Sequence, residues 1–511
     1  MELYKNSFFL NLILRFWTWV CDKFRGGLFY SFFTWLARFY KRGFLHWLTS
    51  RCSFGEDAWK KSKIRHAVEW CLNLIPNLLN KLYEKIKPVA DGSFFVTCIC
   101  DMGRYSVPVF CVMVFVMLIM PQARWNNLYS LVFAFLALVA FWLDGIKNPK
   151  RRLSFENIGP WACIYALVVF LSLVWSNSFS LSFRFIFFAI TCMLCVVVFV
   201  NAFDTENKLF VFICFLAAGL FVSSAYALFQ RLTGVESNGI LTDLTLNANM
   251  PGRVYSFFEN PNSYANLLVY FTPLMLCMFL FAPKRWQRLG FGAVFVLCAL
   301  ALVMTYSRGG WLAFAFSMFI LMCLLCPRWI PLVMAVGVLC LPILPSSILN
   351  RLLTIFNMSD SSTYTRTYIY AAMLRLIKMN PIFGVGLGAD TIKQSIAVAQ
   401  TYTAKAVFIH GHNIYFQIGA ESGIIGIIAF IMAVFCGMRA GGRRLRRKPT
   451  TSLQRGIIAG CISGLSGSLL FGLTDYPWSY PRVMVLFWLL FAIMCAATGI
   501  SKNKKAGKTN G

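Results

Sequence analysis

Residues 380–388 read NPIFGVGLG and residues 410–426 read HGHNIYFQIGAESGIIG. Both lie in the one long polar interval, from about Ser346 to Gly426, of an otherwise apolar last three-quarters of the chain. The interval also holds Tyr364-Thr365-Arg366, and it closes where Glu421-Ser422-Gly423 leads back into apolar sequence. Irregular polar backbone has no hydrogen-bond partners in lipid, so an ordered segment of this size belongs outside the bilayer. Loops well beyond about a dozen residues are either functional or disordered. Helical periodicity and few linker residues mark this one as an ordered, working part of an all-α, polytopic membrane protein.

Composition agrees. Of 511 residues, 59% are hydrophobic and 13% charged, values of a membrane-embedded rather than a soluble chain. The net charge of +29 would suggest nucleic acid in a soluble protein. Here it predicts cations gathered at one membrane face, suited to membrane lipids and phosphate-bearing substrates, with no nucleic-acid partner. The 18 cysteines mostly sit in apolar runs, as Cys192, Cys195, Cys277 and Cys298 do, and their spacing marks neither a disulfide framework nor a zinc site. No signal peptide is expected, since Lys5, Arg15, Asp22 and Lys23 interrupt the first apolar stretch.

Outward from the polar interval the chain divides into five regions. Residues 1–104 form an N-terminal region in which charges punctuate every apolar run. Within it Ile64, Val68, Cys71, Ile75, Leu78 and Leu82 step at helical spacing, which predicts an amphipathic helix kinked at Pro76. Phe8–Phe24 and Leu28–Leu48 look similar, and basic residues beside Trp and Phe favour helices in the membrane interface. A lid packed on the bundle is the plainer alternative. Residues 105–345 hold nine expected spans, 346–413 the outer loop, 414–500 three more spans and 501–511 a basic tail. The twelve spans are expected near 105–121, 126–143, 158–176, 181–202, 207–228, 263–282, 289–306, 309–326, 329–345, 414–438, 456–474 and 479–499. The clusters Lys147/Lys150/Arg151/Arg152, Lys284/Arg285/Arg288, Arg443 to Lys448 and Lys502 to Lys508 then share one face. The positive-inside rule makes that face cytoplasmic, together with both chain ends. The polar interval, the turn at Ser307-Arg308 and residues 233–262 fall on the outer face.

On that outer face several residues invite chemistry. Arg308 opens a span between Ser307 and Gly309-Gly310, and a cation there needs a partner or a route to water; an interfacial anchor is the plain reading. Arg366 begins a helix with Ile369, Ala372, Met373 and Leu376 on one side, ended by Asn380-Pro381 and a glycine turn. With Arg253 it shares the compartment of Arg308, and arginines around one cavity make a clamp for a diphosphate. His412 is the sharpest candidate for general-base work, because histidine titrates near neutrality and the chain has only 4. A structural histidine and a metal site with His410 are its rivals. Metal is not expected, since no other histidine lies on this face. The outer acids Asp243, Glu259, Asp360, Asp390, Glu421 and Asp475 show no pair marked by spacing. Glu421 either orients the site or caps charge.

These motifs together resemble the O-antigen ligase and O-antigen polymerase family. The likeness rests on Ser307-Arg308-Gly309, on Arg366 with Asn380-Pro381 and the glycine turn, and on His412-Asn413 leading to Gly423–Gly426. Phe257-Phe258-Glu259-Asn260-Pro261-Asn262 joins them. It spans roughly Tyr105 to Ile500, is strongest from Arg253 to Phe430, and leaves the first hundred residues uncovered. The resemblance implies a membrane glycosyltransferase whose donor is a glycan on a polyprenyl (undecaprenyl) diphosphate carrier. The acceptor is a hydroxyl of a lipid core, wall polymer or growing polysaccharide. Transfer is implied on the outer face of the cytoplasmic membrane, with no nucleotide, metal or other cofactor. By similarity His412 acts on the acceptor hydroxyl, Arg308, Arg366 and Arg253 hold the diphosphate, and Asn413, Glu421 and Asn262 support the site. Ligase and polymerase share these needs. A transporter for an anionic solute is the alternative of a different class, and it would place its polar groups near the bilayer midplane.

Overall fold

The computed structural model describes residues 58–234, 252–340, 342, 345–353, 361–400, 402, 408–447 and 450–500, with isolated positions between 15 and 38. The expected helices Phe8–Phe24 and Leu28–Leu48, together with Asp243, Asp360 and the tail 501–511, fall wholly or largely outside the described residues. Every regular element described is a helix.

The N-terminal region supplies α1 (Lys63–Leu72) and α2 (Leu74–Gly92). The first half of the bundle then follows as α3 (Phe94–Ile119), α4 (Leu128–Lys147), α5 (Pro160–Ser172), α6 (Phe179–Ala202) and α7 (Glu206–Thr233). It continues through α8 (Pro261–Phe281), α9 (Arg285–Met304), α10 (Arg308–Leu325) and α11 (Ile330–Cys340). The outer interval contributes α12 (Ser346–Leu353), α13 (Ser361–Met379) and α14 (Ala389–Ala399). The chain ends with α15 (Ile414–Arg446), α16 (Ser452–Phe471) and α17 (Pro481–Gly499).

Among the described residues, nine helices are long and apolar enough to cross a membrane: α3, α4, α6 to α10, α15 and α17. They coincide with nine of the twelve expected spans. Of the other three places, α5 has 13 residues and α11 has 11, short of the roughly 20 a span requires. Pro160, at the first position of α5 after left-handed Gly159, sets its late start. The third, α16, is long enough but rich in glycine and serine. It lies in the core among α8, α10, α15 and α17 with nearly every residue buried. A helix surrounded by protein has no lipid-facing side to keep apolar, and small residues let its neighbours close in. A Cβ on Gly464 would lie 2.1 Å from the Tyr270 carbonyl oxygen of α8. The first span also begins earlier than expected, at Phe94, so residue 104 falls inside α3.

The amphipathic segment is helical but breaks at Asn73, not at Pro76. Pro76 sits in the first turn of α2, where a missing N–H costs nothing. Asn73 instead exchanges hydrogen bonds with Leu153, donating to its carbonyl at 2.9 Å and accepting from its N–H at 2.8 Å. The polar face is the docked one. Arg65 is buried and pairs with Glu69 at 2.8 Å, and Glu69 accepts from Ser154 and from the Phe155 N–H. The apolar stripe of Ile64, Val68, Ile75, Leu78 and Leu82 faces outward.

Candidate functional site

The site is built on a break in α15. Gly423 has φ 70° and ψ −172° inside that helix, and a Cβ there would meet the Ile382 carbonyl oxygen at 2.0 Å. Only glycine fits such a backbone at such close approach. The break frees helical groups, and residues 381–388 take them up. Val385 N–H donates to Ala420 O at 2.7 Å and Gly386 N–H to Glu421 O at 3.1 Å, while Ile424 N–H donates to Pro381 O at 2.8 Å. The glycine stretch is thus more than a turn: Gly384, Gly386 and Gly388 all have positive φ so that it can lie along the broken helix.

Glu421 anchors this junction from inside. Its Oε1 accepts from Gly388 N–H at 3.2 Å and from Gln417 Nε2 at 2.9 Å, and Gln417 Oε1 accepts from Gly411 N–H at 2.9 Å. A buried chain of hydrogen bonds therefore runs from the glycine loop to the residue before His412. These contacts place Glu421 between the glycine loop and the start of α15.

Asn413 caps α15, its Oδ1 accepting from Tyr415 and Phe416 N–H at 2.9 and 3.0 Å. Its Nδ2 donates to Leu473 O at 2.9 Å, which ties the loop after α16 to the start of α15. That tie brings Asp475 to His412. The His412 Nδ1 lies 3.1 Å from Asp475 Oδ1, with the histidine side chain 27% exposed and the aspartate nearly buried. Tyr370 of α13 donates to the His412 carbonyl at 3.0 Å. Burial alone would raise the Asp475 carboxyl, but the hydrogen bond to His412 and the positive charges of His412 and Arg366 hold it well below the usual carboxylate range. The His410 ring lies tilted 4.1 Å from that of His412 and accepts the His412 N–H on its Nδ1 at 3.2 Å. Burial, followed by repulsion from His412, pushes it down to about 4, so it is neutral at physiological pH.

Arg253 senses Asp475 and three further arginines, Arg351, Arg366 and Arg308. Arg253 is buried, its Nε donating to Thr305 O at 2.8 Å and its Nη2 to Asn262 Oδ1 at 2.6 Å. It is lowered to about 9 by burial first, then by repulsion from Arg351, Arg366 and Arg308, with Asp475 acting the other way. Arg308 is the first residue of α10, behind the Ser307 cap that accepts from Gly310 N–H at 3.3 Å. Arg366 lies on α13 with its Nε buried and unpartnered among the described residues. Arg351 of α12 is buried and donates to the Tyr306 carbonyl at 3.4 Å. The segment before α8 is pinned by Arg482 at the start of α17. That side chain donates to Met120 O and Phe257 O at 2.6 and 2.9 Å and sits 4.0 Å over the Phe258 ring.

The sequence-predicted residues Arg253, Asn262, Arg308, Arg366, His412, Asn413 and Glu421 are thereby drawn into one neighbourhood. Asp475, Arg351 and Tyr370 join it without having been singled out. Of the five non-glycine residues with positive φ among those described, Ser256, Glu259, Tyr306 and His412 lie on the segments carrying Arg253, Arg308 and His412. Left-handed backbone at non-glycine residues is costly and concentrates where structure holds groups for use.

His410, His412 and Asp475 also bring potential metal-ligand atoms within 4.8 Å of one another, a third ligand that the spacing did not reveal. The donor set is poorly prepared for an ion. His410 Nδ1 already accepts the His412 N–H, which places the neutral ring's proton on Nε2, so neither nitrogen offers a free lone pair.

A comparison with curated proteins finds no match. Residues 293–431 match the family model described as O-Antigen ligase, a stretch running from within α9 past the Gly423 break in α15 and holding Arg308, Arg351, Arg366, Glu421 and His412. Arg253 and Asp475 lie outside it and reach the same site through the fold. Over that stretch the chain is similar to the O-antigen ligase family.

Proposed function

We propose that this chain transfers a glycan from a polyprenyl (undecaprenyl) diphosphate carrier to a hydroxyl acceptor on the outer face of the cytoplasmic membrane. The acceptor is a lipid core, a wall polymer or a growing polysaccharide. The observation that carries the reading is the His412–Asp475 pair set among Arg253, Arg308, Arg351 and Arg366. Asp475, held ionised, accepts a hydrogen bond from the Nδ1–H of His412 and so leaves the Nε2 lone pair free to take a proton. The acceptor oxygen forms its bond to the anomeric carbon as the bond from that carbon to the diphosphate oxygen breaks. His412 Nε2 takes the hydroxyl proton, and the electron pair leaves with the diphosphate, whose charge the guanidiniums stabilise. Attack opposite the leaving group inverts the anomeric centre. Diphosphate leaves readily, so positioning and charge supply most of what is needed without a metal.

The polar cluster favours transfer over transport by its place. It gathers at the first residues of α10 and α15, on the segments before α8 and α17 and on α12 and α13, and the break at Gly423 falls within the first ten residues of α15. The test uses the full chain in nanodiscs with a polyprenyl diphosphate-linked oligosaccharide, chelator present, and lipid-core or carrier-linked acceptors in separate arms. Carrier diphosphate release and glycan transfer are followed for wild type and for His412→Ala, Arg308→Ala and Arg366→Ala. Transfer that survives chelator and collapses in folded variants supports the reading, and the productive acceptor separates ligase from polymerase. Transfer abolished by chelator, or unchanged in His412→Ala, overturns the mechanism.

A further inference from the structure

The end of the bundle opposite His412 holds a cavity of ≈ 230 Å³ between α5, α15 and α17, bordered by Trp59 and Lys60 of the N-terminal region. Along α15 its first lining residue, Ala433, lies beyond the Gly423 break from His412. One wall is a single face of that helix: Ala433, Gly437 and Ala440 recur at helical spacing and lead to Arg443, Arg444 and Arg447. The facing wall is the start of α5, with Trp161, and the floor includes Thr498 of α17. Glu156, the acid among the lining residues, is taken by Lys60 at 3.5 Å. Arg444 donates through Nη2 to Ile500 O at 2.8 Å, yet its Nε is buried with no hydrogen-bond partner among the described residues. The sequence after Ile500 offers Lys502, Lys504, Lys505 and Lys508 and no acid to balance these charges.

A slot of small apolar residues ending in guanidiniums beside two tryptophans has the polarity profile of a phospholipid. The setting is also a bilayer surface. Asn73, on the far side of α1 from Trp59, bonds the loop before α5, and Ile64, Val68, Trp70, Leu78, Leu82 and Val89 of α1 and α2 point outward. We propose that this cavity binds the phosphate ester of an anionic phospholipid from the leaflet at this end. The arginines hold the phosphate, and the acyl chains run along Ala440, Gly437 and Ala433.

The test is native mass spectrometry and thermal unfolding of the delipidated full-length protein with phosphatidylglycerol, phosphatidylcholine or inorganic phosphate. Phosphatidylglycerol is expected to be retained and to raise the unfolding temperature, with phosphatidylcholine ineffective. Two variants probe the cavity independently: Arg444→Gln with Arg447→Gln removes charge, and Ala440→Leu keeps the charge but narrows the slot. Each should cut retention by about tenfold or more. Equal retention of both lipids, or unchanged retention in both variants, overturns the proposal. Protection by inorganic phosphate as strong as by phosphatidylglycerol, undiminished in Ala440→Leu, assigns the site to a free phosphate and overturns the lipid.

Discussion

Replacing Asp475 by asparagine keeps the side chain's shape and removes its charge. The substituted amide oxygen can still accept the Tyr476 N–H, which Asp475 Oδ1 now takes at 2.8 Å, so the loop after α16 retains its anchor. The bond to His412 at 3.1 Å changes from charge-assisted to neutral just as the imidazole gains a proton. A hydrogen bond to a charged group contributes about 1.5–3 kcal/mol against about 1 for a neutral pair. The loss of about 0.5–2 kcal/mol corresponds to roughly two- to thirtyfold in kcat. It grows further wherever the amide turns its NH2 toward Nδ1, because that tautomer places the imidazole proton on Nε2 and removes the base. Donor affinity should move the other way or stay unchanged: Asp475 is the negative charge that Arg253 senses, and without it the guanidiniums act on the diphosphate unopposed. Steady-state transfer at saturating acceptor, with donor varied and unfolding temperature recorded, separates these effects. A fall in kcat with a donor KM equal to or below wild type is the expected pattern. An Asp475→Asn variant that folds and keeps wild-type kcat, or that loses only donor affinity, refutes the pairing of His412 with Asp475 as the reacting unit.

Four further outcomes follow from the same contacts. Arg366→Ala should raise donor KM by about tenfold or more, and Arg366→Lys should recover only part of it, since a lysine cannot make the forked contact to phosphate. Glu421→Gln should leave transfer nearly intact, as an amide oxygen can accept from both Gly388 and Gln417. Glu421→Leu strands those two buried donors at about 1–3 kcal/mol each, visible as lowered thermal stability. Gly423→Ala should destabilise by on the order of 3 kcal/mol or abolish folding, because of positive φ and the Ile382 carbonyl, and protease sensitivity at residues 381–388 reports it. His410 is lowered from 6.5 to about 4, so the folded loop binds fewer protons than the unfolded one between those values. Stability is therefore full above about pH 6.5 and falls toward pH 4, by up to about 3 kcal/mol for this group. Hydrogen exchange at residues 408–414 should follow that slope, and His410→Asn, which keeps an acceptor at the Nδ1 position, should flatten it.

Some of the fold was legible because its signals add up along the chain. Nine apolar helices and the helical face of Ile369, Ala372, Met373 and Leu376 each depend on residues close in sequence. The misses arise where neighbours in space overrule that local signal. Pro76 has the chemistry of a kink, yet α2 begins just before it, since Asn73 gains a two-way contact with Leu153 that ends α1 first. The glycines and serines of α16 suit a helix enclosed by α8, α10, α15 and α17, whatever its hydropathy along the chain.

The site divides along the same line. His412, Arg308 and Arg366 could be named individually, because a histidine or arginine in an outer polar interval is unusual by itself. Asp475 could not, since it lies 63 residues from His412 and its environment is created by Asn413 reaching Leu473. Arg351 carries no such signal along the chain; burial and its bond to the Tyr306 carbonyl give it meaning. Left-handed φ at Ser256, Glu259, Tyr306 and His412 is likewise a property of the assembled backbone. Such conformations persist only where surrounding contacts outweigh their cost. Here those contacts are the ones that hold Arg253 to Thr305 and Asn262, Arg351 to Tyr306 and His412 to Asp475. The charge cluster and the strained backbone are therefore two aspects of one construction: like charges that would repel one another in an open loop are kept together because the bundle fixes the segments bearing them.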